Sequence, residues 1–427
     1  MGMQTVRLNV FQRLIRTWEA AHPYNAAQVL KIAGSLNPCA VENTWHQVLA
    51  ELGLGRVTFT RSRLQHEALN GTRANHPVHV LKPDEDLETY LAHEMDRPFG
   101  ESADSPFRPF LLPGDDASWF GVTYRHCVAD SVSIRSLLGE FFSRIITGDV
   151  RQTRPAVHEH DGYWRLFSAR NGTARLEEAL LSSVRSHCRF RKVLKPITAG
   201  RHDYPSRVML RHAPDGLVSE LRHTCRSKRV RPSDVMLAAL AQAAQRHVPL
   251  QRRPKREDVA VVCVVDLRPH ASPKINGKFG LFLGFTSVIC RPREMEQWPT
   301  LLESVQRQTA LHRRRGIAAS STTWMSAALA WSRIVPPHRV YHSYRKEMPN
   351  AAGLSSVNLD QAWPMSHFPS PLLDYVRISP TGPMAPVVLS ATALGPRLSL
   401  ALTYRPAIVT RESANALLDD FIDRLRL

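Results

Sequence analysis

Apolar positions along the chain change their period in a way that sets out alternating strands and helices. Asn25 to Ile32 mixes apolar residues with Asn and Gln and predicts a strand; Gly34 to Pro38 predicts the turn after it. Val41, Trp45, Val48, Leu49 and Leu52 then recur at helical spacing. Arg56 to Thr60 predicts a second strand, and Asp84 to Glu94 an amphipathic helix. Pro113-Gly114-Asp115-Asp116 signals a turn, after which Trp119 to Arg125 reads as a strand. Phe120, Val122, Tyr124 and His126 alternate onto one of its faces. Beyond Asp130 the period lengthens, and Ile134, Leu137, Leu138, Phe141, Phe142, Ile145 and Ile146 form one apolar stripe. His126 and Asp130 therefore fall on a loop that joins a strand to a helix.

Residues 148–205 are richer in Arg, His and polar residues, and the connection between two halves is expected there. The mixed pattern then resumes. Leu217 to Leu221 begins a helix, and Ser233 is the expected cap of another that runs through Val235, Met236, Ala239 and Leu240. Asp258 to Asp266 is almost wholly apolar and β-branched, which suits a strand buried on both faces. Phe279 to Ile289 holds further strand candidates punctuated by Gly280 and Gly284. Leu398 to Tyr404 alternates like a strand, and Ala414 to Leu425 closes the chain as a helix. Strands and helices interleave in both halves, so the class is α/β or α+β with mixed sheets.

Composition changes this picture little. The 427 residues suffice for a large core, and 43% hydrophobic with 22% charged content is ordinary for a globular chain. The net charge of +18 fits nucleic acid, an anionic membrane surface, CoA phosphates or an acidic carrier protein equally well. It also fits a solvated arginine-rich surface, because the charges are scattered and not gathered in one tail. No helix-turn-helix, zinc or RNP pattern appears, so nucleic acid is not an expected partner. None of the six cysteines forms a C-x-x-C pair, which argues against a zinc or redox motif and for reduced thiols in a cytoplasmic protein. The first residues lack a signal-peptide apolar region, and the longest apolar run, near Val259 to Val265, is too short to span a bilayer. Peripheral membrane contact remains open.

The chemistry concentrates in Arg125-His126-Cys127-Val128-Ala129-Asp130-Ser131, which holds the only H-x-x-x-D match in the chain. Such a match is weak alone and gains weight from its place on a strand-to-helix loop. With its surroundings it resembles the CoA-dependent acyltransferase superfamily, which includes chloramphenicol acetyltransferase, the BAHD enzymes, wax ester synthases and condensation domains. Ala27 to Gly34 with the Val41–Leu52 helix looks like the family's first strand and helix. Pro106 to Leu112 looks like the segment before its active-site strand, and Arg125 to Ser131 like H-H-x-x-x-D-G. Val230 to Ala239 is similar to its second-lobe helix entry, Val264 to Pro269 to its D-L-R strand end, and Gly280 to Ser287 to its Gly-rich latch. The same six pieces stand in the same order.

The resemblance implies two chloramphenicol-acetyltransferase-like lobes, with mixed sheets flanked by helices and an active-site tunnel between them. The expected division is 1–170 for the first lobe, 171–205 for the connection and 206–427 for the second lobe. The implied activity is acyl transfer from a CoA or carrier-protein thioester to a hydroxyl or amine. His126 is the implied general base, since an imidazole titrates near working pH. Asp130 is implied to pair with Arg268 and to hold the loop. Ser131, Ser356 and Asn358 are candidates for lining the tunnel or for donating to the oxyanion. Acyl-CoA or acyl-phosphopantetheine would serve as co-substrate, with no resident cofactor and no metal. Expected partners are a small-molecule or lipid acceptor and an acyl carrier protein, and the chain is expected to be a monomer.

Two positions depart from the motif: Arg125 replaces its first histidine, and Ser131 its glycine. The second motivates another reading, a non-catalytic condensation-like protein that binds carrier-tethered chains. Cys127 beside the histidine is expected to fill space and not to act as a nucleophile. Arg313-Arg314-Arg315 and Arg252-Arg253-Pro254-Lys255-Arg256 are read first as solvated faces, and second as binders of CoA phosphates or a carrier protein. His22-Pro23-Tyr24-Asn25 either lines the acceptor entrance or only starts the first strand.

Overall fold

The structure is a computed structural model. It describes residues 4–60, 62–67, 77–100, 105–148, 188–197, 205–251, 253–271, 275–336, 346–363 and 372–426, with isolated positions at 156, 157, 166, 339 and 343. Most of the expected 171–205 connection lies outside the described residues, as does Arg252. The chain forms two compact units, one of Met1–Arg170, Asp266–Leu283 and Asp360–Arg377, the other of Asn171–Val265, Gly284–Leu359 and Ile378–Leu427. The expected second lobe at 206–427 therefore needs correction, because two of its segments pack with the first unit. Asp266–Leu283 brings Arg268 onto Asp130, and Leu372–Ile378 adds a strand to the first unit's sheet.

That sheet has five strands in the order Leu372–Ile378, Asn25–Ala33, Ala117–Arg125, Phe107–Leu112 and His79–Val80. Ala117–Arg125 is central, antiparallel to both neighbours, with Gln28 opposite Val122 and Phe110 opposite Gly121. Phe120, Val122 and Tyr124 are buried as the alternation requires, and Gly121 and Thr123 on the other face are buried too. The helix Ser131–Thr147 follows, with Ile134, Leu137, Leu138, Phe141 and Phe142 fully buried. Ile145 and Ile146, at the end of the expected stripe, are only half-buried. Phe141 stacks on Phe120 at 4.0 Å, and Trp45 of the Pro38–Leu52 helix meets both rings and Phe107.

Gly121 is required by this packing. A Cβ there would lie 2.1 Å from Cζ of Phe110, whose ring is fully buried. Gly121→Ala should therefore destabilise the protein by about 1–3 kcal/mol, read as a lower denaturant midpoint; an unchanged midpoint would contradict the packing.

The second unit is built on a six-stranded mixed sheet, ordered Arg207–His212, Arg397–Tyr404, Val387–Leu394, Ala352–Asn358, Val259–Asp266 and Leu283–Cys290. The helices Leu217–Ser227, Pro232–His247 and Arg411–Leu425 share its core through Leu221, Leu240, Ala244, Leu417 and Phe421. Three expectations change here. Arg231, not Ser233, occupies the N-cap, and Pro232 takes the first helical position, where its missing N–H costs nothing. The Val259–Asp266 strand is buried only through Val262, and Val264 is 41% exposed, past its Val261–Cys263 pairing with the Ala352–Asn358 strand. The Arg397–Tyr404 strand is buried on both faces after Arg397. Among the described residues no helix is long and apolar enough to cross a membrane.

Candidate active site

The Ala117–Arg125 strand ends in a turn at His126, and Asp130 caps the next helix by accepting the Ser133 N–H at 2.9 Å. An aspartate at this position satisfies one orphan donor of the helix start. The same carboxylate is held by Arg268. Nη1 donates to Oδ2 at 2.8 Å and Nη2 to Oδ1 at 3.0 Å, while the Phe282 N–H also donates to Oδ2 at 2.8 Å. Both side chains are buried. Burial alone pushes the Asp130 carboxyl upward, but the Arg268 guanidinium and the N–H donors outweigh it and hold it below its ordinary value. Arg268 also bonds Asp266, Ser133 and the Lys278 carbonyl. Five donors in a planar fork suit arginine to this many acceptors.

Gly280 completes the ring around Asp130. Its carbonyl accepts from the Asp130 N–H at 3.0 Å and from the Ser133 hydroxyl at 2.7 Å. Its φ of +152° puts it in a region that disfavours side chains, and a Cβ there would come within 2.9 Å of the Phe282 ring.

His126 is half-buried. Its Nδ1 lies 3.0 Å from the Ala129 carbonyl oxygen. A carbonyl only accepts, so Nδ1 carries the proton in the neutral ring and Nε2 carries the lone pair. Desolvation lowers the imidazole pKa below its ordinary value, more than the Ala129 carbonyl raises it, so the ring is neutral at pH 7. Tyr24 stacks on it at 5.6 Å and 19°, Tyr124 meets it edge-on, and the His126 N–H donates to the Tyr24 carbonyl at 3.2 Å. His22 bonds Asp96 at 3.1 Å, so the His22–Asn25 segment packs against both the imidazole and the end of the Leu87–Asp96 helix.

Arg125, where the motif has histidine, turns to Glu19, with Nη2 at 2.8 Å and Nε at 3.1 Å from Oε2, and lies over the Phe59 ring. Cys127 is buried, and burial raises its thiol pKa well above the ordinary range, which disfavours the thiolate. Ser131 starts the helix. Its carbonyl accepts from Gln28 at 3.1 Å, and its hydroxyl receives Nη1 of Arg377 at 3.5 Å. Ser356 and Asn358 stand on the Ala352–Asn358 strand of the second unit, opposite Ala391 and Ala393. The first unit thus brings together His126, Asp130, Ser131 and Arg268, while Ser356 and Asn358 belong to the other unit.

Several residues escaped the sequence reading. Gln28 accepts from the Tyr375 hydroxyl and donates toward Ser131 and Tyr124, so it joins the Leu372–Ile378 strand to the start of the helix. Arg377 is 2% exposed; burial first, and then the neighbouring Arg135 charge, bring its pKa down to about 10. The N-terminal helix Val10–Glu19 supports the loop through Gln12, which donates to the Cys127 carbonyl at 2.9 Å. Among the described residues no three His, Cys, Asp or Glu side chains gather as metal ligands.

The sequence profile of the Condensation domain family matches residues 5–316, and the chain belongs to that family. Solved structures share its fold at low identity. Trichothecene 15-O-acetyltransferase TRI3 from Fusarium sporotrichioides is 12% identical with a TM-score of 0.71, over 100% of this chain and 96% of that one. The first condensation domain of the calcium-dependent antibiotic synthetase, in complex with a substrate analogue, is 15% identical with a TM-score of 0.70, over 99% and 96%. The epimerization domain from the third module of tyrocidine synthetase B is 14% identical with a TM-score of 0.64, over 100% and 96%. No curated protein matches the chain.

Proposed function

We propose that this chain is an acyltransferase that moves an acyl group from a CoA or carrier-protein thioester to a hydroxyl or amine. The observation that carries the reading is the His126 ring, neutral and fixed through Nδ1 by the Ala129 carbonyl, with Nε2 left as a proton acceptor. In the reaction Nε2 takes the proton from the acceptor O–H or N–H as that atom attacks the thioester carbonyl carbon. The C–S bond of the tetrahedral intermediate then breaks. The departing sulfur recovers the proton from the imidazolium and leaves as a thiol. No covalent enzyme intermediate is needed. The Ser131 hydroxyl, which accepts from Arg377 and keeps its own proton to donate, is the proposed oxyanion donor.

Acyl-CoA or acyl-phosphopantetheine is the proposed co-substrate, and an acyl carrier protein the proposed partner when the donor is tethered. Condensation family membership and the acetyltransferase and condensation-domain neighbours support this choice. The proposed acceptor is a small molecule or lipid. The six cysteines are free, which supports a reducing, cytoplasmic setting.

The pH profile tests the base. Activity needs the neutral imidazole, so kcat/KM should rise with pH through an apparent pKa below 6.5 and then level off. The sign follows from burial, which favours the uncharged ring and extends activity toward acid. A midpoint above 6.5 would contradict it.

A second reading is favoured by Ser131 in the place of glycine: a condensation-like protein that binds carrier-tethered chains without turning them over. Binding of acyl-phosphopantetheine with no thiol release across a panel of acyl-thioesters and acceptors would select it.

A further inference from the structure

We infer that the second unit docks on the surface of a bilayer rich in anionic lipid through the helix Ile317–Trp331 and its basic flanks. From 317 to 332 the sequence has no acidic, basic or histidine side chain. A helix on a protein surface ordinarily pairs a buried apolar stripe with a charged outer face. Here only Ala318, Ser321 and Met325 are buried, a narrow stripe, and the outer face is uncharged. The chain continues in helical turns past the last residue, since the Ile334 N–H donates to the Trp331 carbonyl at 3.0 Å. Trp331 is 53% exposed and Ile334 79% exposed, the two most exposed large apolar residues among those described. At 100° per residue Ile334 falls roughly opposite the buried stripe.

The charge at both ends selects the partner. The preceding helix, Trp298–Arg315, finishes on His312, Arg313, Arg314 and Arg315. Arg313 reaches Asp234 at 3.7 Å, whereas Arg314, Arg315 and Arg333 are exposed and form no ion pair among the described residues. Leu311, one turn before Arg315, is 38% exposed. An uncharged face with a tryptophan at its end, between arginines whose stems can lie on apolar surface, matches the headgroup layer of an anionic leaflet. The helix is about 22 Å long at 1.5 Å per residue, so it would lie in the plane of the surface.

The test is flotation of the full chain with vesicles of phosphatidylcholine alone and of phosphatidylcholine mixed with phosphatidylglycerol. The chain should float with the mixed vesicles, weakly with the neutral ones, and less as salt is raised. Arg314→Gln and Arg315→Gln should each weaken binding about five-fold, and Trp331→Ser with Ile334→Ser about ten-fold or more. A brominated lipid should quench wild-type emission more than that of Trp331→Phe, a variant that keeps a ring in place. Absence of flotation with mixed vesicles overturns the inference, as does equal flotation of wild type and the Trp331/Ile334 variant, or equal quenching. An acidic carrier protein that binds wild type, loses binding in that variant and is not matched by vesicles would also overturn it. None of these readouts depends on acyl transfer.

Discussion

Asp130→Ala should lower the free energy of unfolding by about 3–5 kcal/mol, because it leaves the Arg268 guanidinium charged, buried and without its main partner. The loss has three parts. The bidentate pair with Arg268 goes, the Ser133 N–H at the helix start loses its acceptor, and the Phe282 N–H loses its own. Arg268→Ala should cost a similar amount for the complementary reason, and the double variant should cost less than the sum, since each single change strands the other partner. Denaturant midpoints measure all three. The pair also carries a pH dependence. The Asp130 carboxyl is held below its ordinary value of 3.8, so its stabilisation is complete above that pH and is lost as pH falls through the lowered value. Activity should fall together with stability in these variants. An Asp130→Ala protein as stable as wild type but tenfold less active would instead put Asp130 in the chemistry.

His126→Ala should behave in the opposite way. The ring is half-buried and its main polar bond is to one backbone carbonyl, so folding should be little changed. Turnover should fall by about 10²–10⁴, the usual contribution of a positioned acid–base group. The His126 backbone N–H would keep its bond to Tyr24, so the turn should hold. The contrast between the two variants, one losing stability and the other only rate, separates the base from the group that fixes its loop.

Much of this geometry was legible in the chain. The Ala117–Arg125 strand and Ser131–Thr147 helix followed from the change of apolar period at Asp130, because a central strand and the helix beside it must bury contiguous faces. The candidate base was legible because those two elements leave only a short loop for His126 and Asp130. Arg268 was reached only through a family resemblance, since no local pattern links positions 138 residues apart. Gln28 stood out as a polar residue in an apolar strand, but its partner Tyr375 is 347 residues away, so its role could not be read. The Val10–Glu19 helix was missed despite a signal. Asn9 caps it, and Phe11, Leu14, Ile15 and Trp18 recur at helical spacing. The make-up of the two units is not legible in the chain, because strand pairing and the Asp130–Arg268 bond draw two later segments back to the first unit.

Free-thiol release from a panel of acyl-CoAs and acyl-phosphopantetheines, offered with alcohol and amine acceptors, tests the assignment of His126 most directly. Wild type should release thiol only when donor and acceptor are both present, and His126→Ala of equal stability should release about a hundredth as much or less. Equal release by the two proteins would contradict the account.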